Sequence, residues 1–356
     1  MNPIVTVVVP AYNARETIAH TLASIQAQSL REIEIRVVDD GSRDDTRAIV
    51  AGLAGQDPRI VLLAQANGGV ARARNTGLAE ASGRFAAFCD ADDIWHPAKL
   101  ERQVSSMAAE PEAGLSYAWH RRIDPEDRLL AASATPRIEG WVLHRHLEWN
   151  FISNGSTVLV PTPLAREIGF EPALHDAGNQ GCEDYLFQLL IARQHRFVCV
   201  PAFLVGYRIG QGGMSRGVDR MIRSHLQTFA IIKALHPGDS AIADVLARRR
   251  TKLLVELFRN RVRRGDMTGA ASALLRALRV APLRVPGHVM QEVKTGMSRY
   301  SDMPVENSSA SKPVARLFSD YGADEADGAW ATKRSARYLA ALGELDARRA
   351  ALAGSV

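Results

Sequence analysis

The 356-residue chain has few cysteines and no long apolar run. Its three cysteines, Cys89, Cys182 and Cys199, are scattered, and none forms a pair at the spacing of zinc ligands. This excludes a disulfide framework and favours a reducing, cytoplasmic setting. No stretch of about 18 uncharged apolar residues occurs, and the N-terminus leads into a strand-like segment without a basic leader. We therefore expect neither a cleaved signal peptide nor a membrane-spanning helix.

Two signatures of nucleotide binding are missing as well. No G-x-G-x-x-G follows the first strand-like segment, where Pro10, Ala11 and Tyr12 would obstruct the close approach of the backbone to a pyrophosphate. The chain also has no Walker A motif. A Rossmann dinucleotide site and a P-loop are therefore excluded.

Charge is unevenly distributed along the chain. The composition, 46% hydrophobic and 23% charged, is that of an ordinary globular protein. The net charge of +5 divides into −5 for residues 1–213, with 20 Lys and Arg against 25 Asp and Glu, and +10 for residues 214–356, with 24 against 14. We predict an α/β domain over 1–213, a basic helical region over 214–300, and a tail over 301–356 with a terminal helix at 332–352.

Strands and helices alternate over the first hundred residues. Short apolar runs predict strands at 4–9, 33–38, 60–63 and 85–89, and the segments between them have the apolar spacing of helices. Asn13, with Glu16 three residues later, is predicted to cap the first of these helices. The alternation predicts a mainly parallel, Rossmann-like sheet with helices on both faces, in which ligands bind at the carboxyl ends of the strands.

Polar clusters follow three of the four predicted strands, at residues 10–13, 39–42 and 90–93. Each alone fits a turn or a helix cap, but three at one edge favour a ligand site. Asp90 and Asp92 would project to the same side of an extended backbone, next to Asp93. Carboxylates this close repel one another unless a cation, an arginine or a raised pKa relieves them, and a small set of oxygen ligands suits Mg²⁺ or Mn²⁺. Capping of the helix predicted at 97–107 remains an alternative for Asp92 or Asp93.

The ordered motifs at residues 9–13, 38–46, 67–77 and 90–100 together resemble the signature of family 2 glycosyltransferases. The resemblance covers residues 4–105. It implies a GT-A fold, a nucleotide-diphosphate sugar donor, a divalent cation (Mg²⁺ or Mn²⁺) and inversion at the anomeric carbon.

The resemblance also implies roles for particular residues. Tyr12 would line the pocket of the base, Asp40 would accept hydrogen bonds from it, and Asp92 would bind the metal. Arg74 could pair with donor oxygens or form a salt bridge with an aspartate. The donor-binding set implied in this way is Pro10, Tyr12, Asp39, Asp40, Arg74, Asp90 and Ala91.

On the acceptor side, Glu183 and Asp184 resemble the family's Glu-Asp motif, in which the aspartate is the catalytic base and Glu183 would support it. Two acids in the first turn of a helix are also what the helix dipole favours. Residues 154–157 resemble the family's acceptor-side segment, and residues 207–215 its closing segment. In the latter, Gly210 stands where a metal-binding histidine is often found, and the glycines at 210–213 predict a mobile loop over the donor.

The remainder of the chain predicts helices at 221–235, 240–261 and 267–280. A basic band runs through the second and beyond it: Arg248, Arg249, Arg250, Lys252, Arg259, Arg261, Arg263 and Arg264. It is interpreted as a solvated helix face or as a surface attracted to anionic lipid of the inner leaflet, with nucleic acid the least favoured partner.

Two hypotheses follow for the whole chain. The first is a cytoplasmic, metal-dependent inverting glycosyltransferase, with a UDP-sugar as the favoured donor. It would act on a saccharide or lipid-linked saccharide acceptor in polysaccharide or glycoconjugate synthesis, with peripheral contact to the inner membrane face. The second is a catalytically silent scaffold protein that binds nucleotide sugars.

Overall fold

A computed structural model describes residues 2–130, 134–179, 181–210, 217–288, 317–320, 322–324 and 333–353. The strands are β1 Val5–Ala11, β2 Ile33–Asp39, β3 Ile60–Ala64, β4 Phe85–Phe88, β5 Ile94–Trp95, β6 Ala113–Ile123, β7 Val158–Pro161 and β8 Arg196–Arg208. The helices are α1 Ile18–Gln26, α2 Thr46–Ala54, α3 Val70–Ala79, α4 Lys99–Ala109, α5 Leu143–Glu148, α6 Thr162–Ile168, α7 Ala173–Asp176, α8 Glu183–Ala192, α9 Val218–Ala234, α10 Ser240–Arg263, α11 Met267–Val280 and α12 Lys333–Ala353.

The described strands form one mixed sheet in the order β3-β2-β1-β4-β7-β6-β8-β5. The half that contains β3, β2, β1 and β4 is parallel throughout. In the other half, β7 is antiparallel to both β4 and β6, whereas β6 and β8 are parallel. The parallel sheet predicted from the first hundred residues is therefore confirmed, and it continues into a mixed second half.

Alternating side chains of the central strand β1 face two cores. Val5, Val7 and Val9 pack in a cluster with α1, α2 and α4, and Val8 packs in a second cluster with α3, α6 and α8. This alternation follows from the two-residue period of a strand, and it confirms helices on both faces. On the second face, a Cβ added to Gly77 of α3 would lie 2.5 Å from Cγ1 of Val8. Glycine at this position therefore lets α3 lie close against the sheet.

The predicted cap of the first helix is wrong. Helix α1 begins at Ile18 after Thr17, not after Asn13. Asn13 has a positive φ of 49°, and its side-chain oxygen accepts a hydrogen bond from the backbone N–H of Arg43 (2.8 Å). Asn tolerates this left-handed conformation, so Asn13 joins two loops instead of starting a helix.

Strand β8 spans Arg196–Arg208 although it contains Pro201. The pairing with β6 passes from Val200 opposite Ala118 to Phe203 opposite Trp119, which leaves Pro201 in an irregularity of the ladder. Proline lacks the N–H that a regular ladder needs, and a bulge removes this conflict.

The described part of the C-terminal half is helical, as predicted. Phe229 of α9 and Leu254 of α10 belong to the same buried cluster as Tyr185 of α8, so these helices pack on the sheet domain. Asp346 attaches α12 to α5, because its carboxylate forms hydrogen bonds with Nδ1 of His144 and Nε of Arg145, both at 2.9 Å. The boundary predicted at 213/214 and half of the predicted tail lie outside the described residues, and the three-part division stays a prediction. No helix within the described ranges is long and apolar enough to cross a bilayer.

Candidate active site

The three predicted polar clusters share one edge of the sheet. They follow β1, β2 and β4, which are neighbouring parallel strands. The backbone N–H of Asp40 donates to the carbonyl oxygen of Ala11 (2.8 Å), so the first two clusters are in contact. Tyr12 is 47% exposed and free to meet a ligand, whereas Pro10 is buried in β1. The strand order therefore brings the three polar clusters together at the carboxyl ends of the strands, as predicted.

Asp39 and Asp40 organise the loops at this edge. The carboxylate of Asp40 accepts hydrogen bonds from Nε2 of Gln65 (2.7 Å) and from the backbone N–H groups of Gly68 (2.9 Å) and Gly69 (2.8 Å). Asp39 accepts one from the backbone of Ser42 (3.1 Å). A carboxylate offers about four acceptor positions, so Asp40 keeps roughly one for a ligand.

The loop after β4 is held from two sides. The carbonyl oxygen of Ala91 accepts hydrogen bonds from the hydroxyls of Thr17 (2.8 Å) and Thr21 (3.0 Å) of α1. On the other side, the hydroxyl of Ser156 donates to Asp93 (2.6 Å) and accepts from the backbone N–H of Asp90 (3.0 Å). These bonds fix the directions in which the loop's carboxylates point.

Asp93 is a structural residue. It is fully buried, and its carboxylate accepts hydrogen bonds from Asn154 (2.9 Å), from Ser156 and from the backbone N–H of Arg208 (3.0 Å). Burial, and then the neighbouring carboxylates, raise its pKa well above the ordinary value. Helix α4 begins at Lys99 after Ala98, so neither Asp92 nor Asp93 caps it. The capping alternative is wrong for both.

Asp92 differs from Asp93 in what surrounds its oxygens. Nε of Arg208 donates to the backbone carbonyl of Asp92 (2.7 Å), not to its carboxylate. Burial, followed by the charge of Asp90, raises the pKa of Asp92 to about 6, with Arg208 acting in the opposite direction. A half-buried carboxylate that lies beside another, and on whose oxygens no described arginine forms a fork, is well suited to a hard cation.

Arg74 joins the donor edge to helix α8. Its guanidinium is completely buried, with one nitrogen 2.7 Å from Oδ1 of Asp90 and the other 3.1 Å from Oε1 of Glu183. The guanidinium carbon lies 5.2 Å from the ring centre of Phe170. Burial alone would lower the pKa of Arg74, but Asp90, Glu183 and Asp184 outweigh it and raise the pKa. The salt-bridge alternative is thus present in the structure, and a direct donor contact stays a prediction.

Glu183 and Asp184 form the first turn of α8. Glu183 uses both carboxylate oxygens, one for Arg74 and one for the backbone N–H of Gly181 (2.9 Å). Among the described residues, Asp184 accepts a hydrogen bond only from the backbone N–H of Tyr185 (2.7 Å) through Oδ1, which leaves Oδ2 available. Burial, and then Glu183, raise the pKa of Asp184 to about 7 against the effect of Arg74. Asp184 is therefore poised to exchange a proton near neutral pH.

These side chains surround one cavity of about 120 Å³. Its walls come from α3, from the end of β4, from the loop before β7, from the start of α8, from the end of β8 and from α9. The lining residues are Arg74, Asp90, Asn150, Ser153, Asn154, Gly155, Gly181, Cys182, Glu183, Asp184, Tyr185, Tyr207, Met221 and His225. Tyr12, Asp40 and Asp92 are not part of this wall, so the cavity corresponds to the Asp184 side of the site.

The sheet order and the carboxylates along its edge define a protein of the GT-A fold class. Residues 6–163 match the family model "Glycosyl transferase family 2". This match spans less than half of the chain, and over that part it confirms the resemblance seen in the sequence.

Curated relatives of this chain are named as glycosyltransferases. Over 105 residues, 29% of this chain, it is 47% identical to the Escherichia coli UDP-Glc:alpha-D-GlcNAc-diphosphoundecaprenol beta-1,3-glucosyltransferase WfgD, covering 41% of that protein. Over 106 residues, 30% of this chain, it is 44% identical to the putative teichuronic acid biosynthesis glycosyltransferase TuaG of Bacillus subtilis, covering 42% of it. The matches thus span about two fifths of the length of these relatives.

Solved structures share the fold over most of the chain. TarS of S. aureus in complex with UDP-GlcNAc superposes with a TM-score of 0.63 at 19% identity, over 82% of this chain and 85% of that one. The mannosyltransferase PcManGT of Pyrobaculum calidifontis, in complex with GDP-Man and Mn²⁺, gives a TM-score of 0.53 at 23% identity, over 84% and 82%.

A complete set of protein ligands for a metal is not preformed. Within the described ranges, no group of three or more His, Cys, Asp or Glu side chains has the geometry to hold an ion. Gly210 is described, but residues 211–216 of the predicted mobile loop lie outside the described ranges. Of the described residues, Asp92 fits as a ligand, and a diphosphate and water would supply further ones.

Several cavity residues were not identified from the sequence. No sequence pattern singles out Asn150, Ser153, Met221 or His225 as a site residue. Met221 and His225 lie four residues apart, which puts them on one helix face, but nothing in the sequence shows that this face meets Asp184.

Replacing Arg74 tests whether its ion pairs hold the site together. Arg74→Met leaves Asp90 and Glu183 without their cation, and removing one partner of a buried pair costs about 3–5 kcal/mol in the free energy of unfolding. Arg72→Met is the matched control, because Arg72 lies on the same helix but pairs with Asp176 at the surface. Denaturant unfolding followed by circular dichroism should show a large loss only for Arg74→Met. Equal unfolding midpoints would contradict the structural role.

Proposed function

We propose that this protein transfers a sugar from a nucleotide-diphosphate sugar, with UDP-sugars favoured, to a hydroxyl of a saccharide or lipid-linked saccharide, with inversion. The observation that carries this proposal is the cavity in which Arg74 connects Asp90, at the end of β4, to the first turn of α8 with Asp184. The names of WfgD and TuaG, and the UDP-GlcNAc bound to TarS, support a sugar-nucleotide donor and a cell-surface glycan product.

Asp184 is the proposed catalytic base. Its Oδ2 would take the proton of the acceptor hydroxyl while that oxygen attacks the anomeric carbon and the bond to the diphosphate breaks. A pKa of about 7 makes the carboxylate a stronger base than an exposed aspartate and still leaves a large fraction ionised at neutral pH. Glu183, fixed by Arg74 and Gly181, would keep Asp184 oriented.

On the donor side, Tyr12 would stack on the base and Asp40 would use its remaining acceptor position for a base N–H. Asp39 and Pro10 shape this pocket, and Asp90 with Ala91 would lie beside the ribose and sugar. Asp92 would hold a divalent cation, Mg²⁺ or Mn²⁺, which when bound neutralises the charge that develops on the departing diphosphate.

Donor binding tests the proposal directly. We expect UDP-glucose, UDP-GlcNAc or GDP-mannose to raise the melting temperature when Mn²⁺ is present, because a ligand at a hundred times its Kd stabilises the fold by about 2.7 kcal/mol. Addition of EDTA, or Asp92→Asn, should abolish most of this shift, whereas Asp45→Asn at an exposed position should not. The absence of any shift with all donors would contradict the proposed function. A shift without turnover would favour the scaffold alternative.

The base is tested by the pH dependence of transfer. Asp184 must be deprotonated to act, so kcat/KM should rise about tenfold per pH unit well below pH 7 and level off above pH 8. Asp184→Asn should lower kcat at least about a hundredfold and leave donor binding intact. Glu167→Gln, an exposed change on α6, is the control. A flat profile between pH 5.5 and 8, or an active Asp184→Asn variant, would rule out this base.

Contact with an anionic membrane is proposed for the α10–α11 hairpin. The predicted basic band is not a single solvated face, because Arg248 pairs with Glu148 (3.5 Å) and Arg261 with Asp219 (3.1 Å). Arg263 and Arg264 at the end of the band are exposed.

Helix α11 adds exposed apolar side chains along its length. Met267 is 63% exposed, Leu275 56%, and Leu283 just beyond the helix 95%. The helix contains Arg276 and Arg279 and no acidic residue. Exposed apolar side chains beside arginines are the pattern of helices that lie on anionic lipid.

Charge reversal tests this surface. Arg276→Glu with Arg279→Glu should weaken cosedimentation with vesicles of phosphatidylglycerol and phosphatidylcholine at least about tenfold, since each arginine near such a surface contributes about 1 kcal/mol. Arg43→Glu with Arg47→Glu makes the same change in net charge on another exposed surface and should have little effect. If both double variants lost vesicle binding equally, the effect would come from net charge alone, and this would contradict a defined membrane-binding surface.

A further inference from the structure

The cavity beside Asp184 has a wall that lies outside the family match. The match ends at residue 163, whereas α9 contributes Met221 and His225 to the lining. A Cβ added to Gly181 would lie 2.6 Å from Sδ of Met221, and Gly181 has a φ of 125°, which favours glycine. Gly181 therefore lets α9 lie directly against the start of α8.

The ring of His225 is fixed in this wall. Its Nδ1 lies 2.9 Å from the carbonyl oxygen of Met221 and 3.1 Å from Sγ of the buried Cys182. The rings of Tyr185 and Phe229 lie against it, with centroids 5.6 Å and 6.2 Å away. Because these contacts hold the ring of His225 on three sides, its remaining edge points in one direction.

The contacts of His225 determine its tautomer. Burial lowers its pKa to about 4, so the imidazole is neutral at physiological pH. A carbonyl oxygen can only accept, so Nδ1 carries the proton and Nε2 has a free lone pair. No hydrogen bond to Nε2 is present among the described residues. His225 is half-buried and lines the cavity, so Nε2 is the ring atom left for a ligand there.

We infer that His225 is an acceptor-binding residue whose Nε2 accepts a hydrogen bond from a second hydroxyl of a saccharide acceptor. The inference rests on the proposed function, in which Asp184 takes the proton of the attacking hydroxyl. A neutral nitrogen acceptor selects a hydroxyl donor, and it offers nothing to a phosphate or carboxylate, which have no proton to donate at neutral pH. The preferred acceptor is therefore a sugar ring with at least two free hydroxyls.

Two substitutions test the roles of the two ring nitrogens separately. His225→Asn keeps an N–H near the position of Nδ1 and removes the acceptor at Nε2, whereas His225→Gln can place an oxygen near Nε2. With p-nitrophenyl hexosides as acceptors, His225→Asn should raise the acceptor KM about three- to tenfold, the effect of one hydrogen bond, and leave the donor KM unchanged. His225→Gln should recover part of this loss. Lys233→Ala, exposed on the same helix, should match the wild type.

Monodeoxy hexosides give a readout that a purely structural role would not change. For the wild type, removal of one particular hydroxyl should raise the acceptor KM, and in His225→Asn the same removal should have no further effect. Additive losses for every hydroxyl, or an unchanged acceptor KM in His225→Asn, would overturn the inference. A wild type that hydrolyses its donor but accepts no hexoside would also overturn it. A wild type that neither binds nor hydrolyses any nucleotide sugar would instead overturn the proposed function.

Discussion

The buried guanidinium of Arg74 is the interaction on which the site depends. It pairs with Asp90 from β4 and with Glu183 from α8, residues separated by about ninety positions of chain. Without that cation, three carboxylates would share one poorly solvated space, and their repulsion would push the two halves of the site apart. Arg74 reaches them because Gly77, one turn further along α3, lets the helix lie against the sheet. The fold and the electrostatics of the site are thus coupled through a single helix.

Four aspartates near this edge have different environments, and these account for their different proposed roles. Asp93 has its oxygens satisfied by hydrogen bonds and holds the loop together. Asp90 is neutralised by Arg74. Asp92 and Asp184 have fewer partners, and burial raises the pKa of each, to about 6 and about 7. Residue type alone cannot distinguish these cases, because the difference lies in which donors the fold brings to each carboxylate.

The sequence predicts the edge of the sheet better than it predicts the cavity. Alternating apolar runs predict β1 to β4. The polar clusters that contain Asp39, Asp40, Asp90 and Asp92 follow β2 and β4, and a parallel sheet brings the carboxyl ends of neighbouring strands together. The pairing of β6 with β8 joins distant segments, and a bulge at Pro201 hides the length of β8. Local patterns carry no information about such pairings, nor about the packing of α9 on α8.

The position of α9 has a consequence for specificity. The donor-side residues lie within the part of the chain that the family shares, and Asp184 lies just beyond it, next to a helix that the family model does not include. In the proposed reaction the carboxylates and Arg74 have to keep their geometry, whereas the choice of acceptor depends on the side chains that face the attacking hydroxyl. When those side chains belong to an added helix, they can change without disturbing the ion pairs beneath. The ring of His225 is such a side chain, since its contacts among the described residues are with Cys182 just before α8, with Tyr185, and with Met221 and Phe229 of α9.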